Sequence, residues 1–202
     1  HVMSAGAVAV SMIPPYYYKF SMDEIMGYYE DVIAAIPDLP TIIYNIPQFT
    51  GVEFGKDNAG RLLANENIVG IKHTSTNLYS LERMGQAFPG KHLINGFDEQ
   101  LIAALSMGAK ATIGTTVNLF APLFRQAKQA FTAGDMETAL RWQRAINLRV
   151  EATVKIGIFN AMKYGWTLRG VDCGFCRAPF RPLDQSAQDS MKALMELPLE
   201  PC

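Results

Sequence analysis

One lysine stands near the end of an apolar run: Lys72 in Ile68–Ser75, IVGIKHTS. Lysine is rarely buried without a partner or a task. Held in an apolar pocket, its charged form is disfavoured, its pKa falls, and a neutral nucleophilic amine becomes available. Such an amine condenses with a ketone to a Schiff base. The competing reading is a strand-end lysine whose stem lies on apolar surface and whose head reaches water. A second reactive group, Tyr44, lies near the end of the run Thr41–Asn45. A phenol tuned by a nearby cation can move protons as a general acid or base. The alternative is a core tyrosine bonded to a carbonyl. Together, amine and phenol suggest aldol chemistry on a 2-oxo acid, with the iminium as electron sink.

The elements that must position these groups follow from periodicity and breakers. Short apolar runs at 7–13, 41–45, 68–75, 93–96 and 111–114 read as strands. Between them lie helical stretches at 22–36, 56–64, 78–88 and 98–106, and helices continue at 121–131, 135–164 and 184–196. Ser21 and Glu24 have capping-box spacing. Pro37, Pro40, Pro89 and Gly90 end elements. Strand and helix alternate five times, which predicts parallel strands with right-handed crossovers. The strands are apolar on both faces, as covered parallel strands are. No glycine-rich dinucleotide loop or P-loop follows any of them, which argues against a nucleotide-binding doubly wound sheet.

Polar residues gather at the C-terminal ends of these strands. They are Tyr16–Tyr18, then Tyr44 and Asn45, then Lys72 and Thr74, then Gly96, Asp98 and Glu99, then Thr115 and Thr116. In a (β/α)₈ barrel the active site is built at that end, from several different strands. Local explanations stand beside this one: acids suit the first turn of a helix, and threonines suit a strand end.

Composition narrows the class. The chain has 202 residues, 49% of them hydrophobic, and a net charge of −1. No basic stripe is present, so a nucleic-acid surface is not expected. No apolar run reaches membrane-spanning length. Three cysteines do not make a disulfide framework, so a reducing cytoplasmic setting is expected. Cys173 and Cys176 have CxxC spacing but no second pair and no nearby histidine, so no metal or redox site is expected there.

Six segments also carry a family resemblance. YNIPQFTG at 44–51, GIKHTS at 70–75, NGFDE at 95–99 and GTTVN at 114–118 are similar to motifs of the N-acetylneuraminate lyase and dihydrodipicolinate synthase family of class I aldolases. The loop PPYYYKF at 14–20 and the tail segment CRAPFRP at 176–182 are similar too. The resemblance implies a TIM (β/α)₈ barrel and a lyase reaction without metal or cofactor, through a covalent Schiff base between pyruvate and Lys72. It implies Tyr44 as acid/base, and Tyr17 in a tyrosine relay reaching a neighbouring subunit's site. It implies that Thr74, Gly96, Asp98, Glu99 and Thr115 hold the polyhydroxy tail of a sialic acid. The assembly implied is a tetramer, a dimer of tight dimers. Synthases of the family carry an arginine where this chain has Phe49, so the details favour the lyase branch: N-acetylneuraminate cleaved to pyruvate and N-acetylmannosamine. The runner-up is a dihydrodipicolinate synthase or another 2-oxo acid aldolase. A non-catalytic protein that binds a sugar acid or partners an oligomer is the reading from a different class.

The family's barrel has eight strands, and five are read here. Nothing in the chain corresponds to the first three strand–helix units, including the Gly-Thr/Ser-Thr-Gly-Glu loop that binds the 2-oxo acid carboxylate. A complete barrel takes about 250 residues. The expectation is a partial barrel of about five units. Residues 1–120 would be equivalent to strands 4–8, and 121–202 would be the last barrel helix and a C-terminal helical extension. Such an arc exposes two edges. It would be a fragment of a longer product, a partner of another chain or copy, or a relic, and impaired as a lyase when alone.

Overall fold

The computed structural model describes residues 1–201. Two compact units divide the chain: residues 1–97 with 103–113, and residues 98–102 with 114 onward. In the first unit, β1 (Val10–Met12), β2 (Thr41–Asn45), β3 (Ile68–His73), β4 (His92–Asn95) and β5 (Ala111–Thr112) form one parallel sheet in sequence order. Helices α1 (Met22–Ala35), α2 (Pro47–Thr50), α3 (Gly60–Ala64) and α4 (Leu78–Ala87) connect its first four strands. A 3₁₀ turn (Asp98–Gln100) and α5 (Leu101–Ser106) lead to β5.

The period of two along each strand divides the sheet into two faces. Ile43, Ile71 and Leu93 pack with Ile25, Tyr29, Leu62, Leu81 and Met84 of the helices, and this is the core of the unit. Each such aliphatic side chain contributes about 1.5–3 kcal/mol by leaving water. Tyr29 is fully buried. Its hydroxyl donates to the Met12 carbonyl at 2.9 Å, and burial pushes its phenol upward from the ordinary range. The other face has Ile42, Tyr44, Gly70, Lys72 and Ile94 in register. It is the less covered face: Ser11 and His92 are exposed.

Gly70 shows why strand spacing restricts residue choice on that face. A Cβ there would lie 2.4 Å from the His92 carbonyl oxygen of β4. Gly70→Ala must therefore spread two paired strands, and a loss of about 1–3 kcal/mol is expected in thermal denaturation. An unchanged midpoint would contradict this packing.

Most expected elements are present. Ser21 caps α1 through a capping box with Glu24, and Asn77 caps α4. Several boundaries differ for local reasons. The first strand is three residues long where seven were expected. Pro47 starts the unexpected short helix α2, which Gly51 ends at φ 71°. In the second unit, α6 (Val117–Thr132) starts four residues before the expected Ala121 and runs past Pro122, with a non-helical Phe120 taking up the kink. The long helix expected over 135–164 is two: α7 (Met136–Ile156) and α8 (Ile158–Leu168) meet at Gly157, whose φ of 106° breaks the helix. Helix α9 (Gln185–Glu196) follows, capped by Asp184. Among the described residues, no helix is long and apolar enough to cross a membrane.

Candidate active site

Tyr44 and Lys72 are register partners on neighbouring parallel strands, so both side chains leave the sheet on the same face. Each is half-buried. Lys72 Nζ lies over the Tyr44 ring, 3.7 Å from its centre. That distance is within the range where a ring face attracts a cation. On its other side Lys72 has Ile94 of β4 as register partner. An amine and a phenol are thus held together at the C-terminal ends of two strands, with apolar neighbours. This is the pair the sequence singled out.

Behind this pair, on the helix-covered face, the adjacent residues form a polar clamp. Asn45 and His73 are fully buried, and Asn45 Nδ2 meets His73 Nδ1 at 3.0 Å. Asn45 Oδ1 accepts from the Phe54 N–H at 3.1 Å, and Nδ2 also donates to the Phe54 carbonyl at 3.2 Å. The amide nitrogen therefore donates to His73 Nδ1. This leaves the ring proton on Nε2, which donates to the Asn77 carbonyl at 3.1 Å. The clamp joins β2 to β3 one residue beyond Tyr44 and Lys72 and so supports their register.

The clamp makes stability depend on pH. Burial holds His73 below its ordinary value of 6.5, against the opposing Asn77 bond and the charge of Glu53. The unfolded chain then binds a proton that the folded chain refuses. Stability is complete above pH 6.5 and is lost as pH falls from there toward the lowered folded value. Denaturation midpoints are expected to fall between about pH 7.5 and about pH 5.5, and His73→Gln is expected to flatten that slope. An identical slope in the variant would contradict the clamp.

Thr74 and Gly96 continue the site in the same unit. The Thr74 N–H donates to the Asn45 carbonyl at 2.8 Å, and the Gly96 N–H to the His73 carbonyl at 2.9 Å. Thr74 is 4% exposed, and its Oγ1 has no hydrogen-bond partner. A Cβ at Gly96 would fall 1.7 Å from that oxygen, so glycine is what lets the hydroxyl sit there. A buried hydroxyl without a partner invites a functional explanation.

Tyr17 lies in the loop between β1 and α1. Its φ of 82° is left-handed, a strain of about 1–3 kcal/mol for such a residue, and it is 87% exposed. Its ring meets Tyr18 edge-on at 5.0 Å, and Tyr18 meets Phe20 at 6.5 Å. This is an exposed aromatic group.

The remaining candidates belong to the second unit. Asp98 is 5% exposed. Its Oδ2 accepts from Thr116 N at 2.7 Å and Thr116 Oγ1 at 2.6 Å. The carboxylate thus sits at the head of α6, where the helix dipole favours an anion. A Cβ on Gly114 would lie 1.6 Å from Asp98 Oδ1, so that glycine makes room for the acid. Glu99 is exposed. Thr115 is half-buried, and its carbonyl accepts from Asn118 Nδ2 at 3.0 Å. The threonine that holds Asp98 is therefore Thr116.

Two residues with supporting roles, His73 and Gln143, were not singled out in the sequence, and Asn45 and Thr116 were noted there only as polar residues at strand ends. His73 could have been found from the alternation of strand faces. Thr116 stood beside the candidate Thr115. Gln143 is a glutamine within a buried helical stripe. Among the described residues, no group of three His, Cys, Asp or Glu could hold a metal. Cys173 and Cys176 are free thiols.

Comparison with known proteins adds an independent line. The pattern of the dihydrodipicolinate synthetase family matches residues 1–197. An N-acetylneuraminate lyase of Clostridium perfringens is 36% identical over 94% of this chain and 65% of its own length. The crystal structure of N-acetylneuraminate lyase from Fusobacterium nucleatum superposes with a TM-score of 0.89 at 35% identity, over 96% of this chain and 66% of that one. CdNal from Clostridium difficile, solved in complex with mannosamine, superposes with a TM-score of 0.92 at 33% identity over the same shares. The chain thus spans just under two thirds of the length of these relatives. The expected fold class is borne out: five parallel strand–helix units of a partial (β/α)₈ barrel, followed by helices.

Proposed function

The chain belongs to the dihydrodipicolinate synthetase family, and from that premise we propose that it serves a Schiff-base lyase that cleaves N-acetylneuraminate to pyruvate and N-acetylmannosamine. The observation that supports this most is Lys72 Nζ 3.7 Å from the centre of the Tyr44 ring. In the proposed reaction the Lys72 amine adds to the ketone carbon of the open-chain sugar acid, and water leaves to give an iminium. A base removes the proton from the C4 hydroxyl. The C3–C4 bond then breaks, its electron pair moves toward the iminium nitrogen, and the aldehyde product departs. Protonation of the enamine and hydrolysis release pyruvate and restore the amine. Tyr44 moves the protons. The iminium is itself the electron sink, so the proposed steps call for no metal or cofactor.

The family resemblance assigns Thr74, Gly96, Asp98, Glu99 and Thr115 to the polyhydroxy end of the substrate. The unpartnered Thr74 hydroxyl and the exposed Glu99 are compatible with that assignment. We place Tyr17 in a proton relay completed between subunits of a tetramer, a dimer of dimers. Its strained backbone and exposed ring support a role in contact with another copy. Free cysteines accord with a reducing, cytoplasmic setting.

Phe49 separates this reading from the synthase alternative. It is 73% exposed and offers no cation for a second carboxylate. Assays for pyruvate release from N-acetylneuraminate, and for dihydrodipicolinate formation from pyruvate and aspartate semialdehyde, test the choice. Release in the first, slower than from a complete barrel, and none in the second is expected. The reverse pattern, or activity in neither, would overturn the lyase reading.

A further inference from the structure

Helix α7 turns one stripe inward: Ala139, Gln143, Ala145, Ile146, Arg149 and Thr153 are buried. Gln143 lies within it, 8% exposed. A buried amide is costly unless both its oxygen and its nitrogen are bonded. Here both are. Oε1 accepts from the Ile102 N–H at 2.9 Å. Nε2 donates to the Asp98 carbonyl at 3.2 Å. The two backbone groups it binds stand at the start of the 3₁₀ turn and in the first turn of α5. One side chain therefore grips both ends of the short segment that contains Asp98 and Glu99. Thr116 holds the same segment from the head of α6, through the Asp98 carboxylate.

We propose that Gln143 is a positioning residue for the acid pair Asp98 and Glu99, and through them sets recognition of the polyol end of the substrate; this rests on the lyase reading above. The turn is only three residues long, and without the amide the segment loses an attachment at each end. A shift of about 1 Å in a positioning group can cost on the order of a hundredfold. The effect belongs to the sugar end alone. Gln143 bonds within the Asp98–Ile102 segment and its own helix, not to Lys72 or Tyr44, and pyruvate has no polyol.

The test uses Gln143→Met, which keeps the length and removes both bonds, and Gln143→Glu, which keeps the acceptor and loses the donor. KM and kcat for N-acetylneuraminate cleavage are measured beside the rate at which pyruvate is trapped on the protein by borohydride. Gln143→Met is expected to raise KM by about tenfold or more, with Gln143→Glu intermediate and trapping rates within about twofold of wild type in both. The trapping rate also reports that the variant is folded, and Gln143→Glu bears the test if Gln143→Met does not fold. Unchanged KM in folded variants, or an equal fall in trapping and cleavage, would overturn the proposal. A wild type that does not cleave the sugar acid would instead overturn the lyase reading, and this inference with it.

Discussion

Lys72→Ala is expected to abolish the borohydride-trapped pyruvate adduct and to lower cleavage to background, on the order of 10⁴-fold or more below wild type. The size follows from the chemistry. In the proposed reaction the amine is the group that becomes covalently bound, so its removal deletes the iminium and the electron sink together. The variant should fold. Lys72 is half-buried on the less covered face of the sheet, and the β2–β3–β4 ladder runs through its backbone. Lys72→Arg sharpens the experiment, because a guanidinium keeps the charge over the Tyr44 ring but does not form the imine. Both variants should keep a wild-type circular dichroism spectrum and lose the adduct. An adduct of undiminished yield in either variant would show that another amine reacts.

Tyr44→Phe is the second large effect. It removes one oxygen and keeps the ring on which Nζ rests 3.7 Å from the centre. The Lys72 environment is therefore preserved, and the pyruvate adduct should still be trapped. Turnover should not survive as well. Loss of a general acid or base costs about 10²–10⁴-fold, and here it should appear in kcat with little change in KM. The two variants thus separate the roles: one loses the covalent step, the other loses proton transfer with the covalent step intact. A Tyr44→Phe protein that turns over at the wild-type rate would remove the phenol from the mechanism.

These two residues were legible in the sequence because their signals are local. An apolar run that ends in a lysine and another that ends in a tyrosine are visible within six residues, and parallel pairing then places them side by side. The strand Thr41–Asn45 was read with the bounds the structure has, since proline and glycine follow it closely. The supporting contacts were not legible, because they join distant positions. Thr116 meets Asp98 across 18 residues of chain, and Gln143 meets it across 45. No periodicity encodes such pairings. The break at Gly157 was missed for a different reason: the apolar pattern continues through it, and only the left-handed φ of that glycine separates α7 from α8. The start of α6 was misplaced because Pro122 reads as a first-turn proline, while the kink at Phe120 lets the helix begin earlier.

The central claim is that this chain builds its chemistry on one amine. The most direct measurement is peptide mapping by mass spectrometry after incubation of the protein with pyruvate and borohydride. One reduced pyruvyl group is expected on the peptide containing Lys72 and none on the other lysine peptides. A modification spread over surface lysines, or no modification of folded protein, would contradict it.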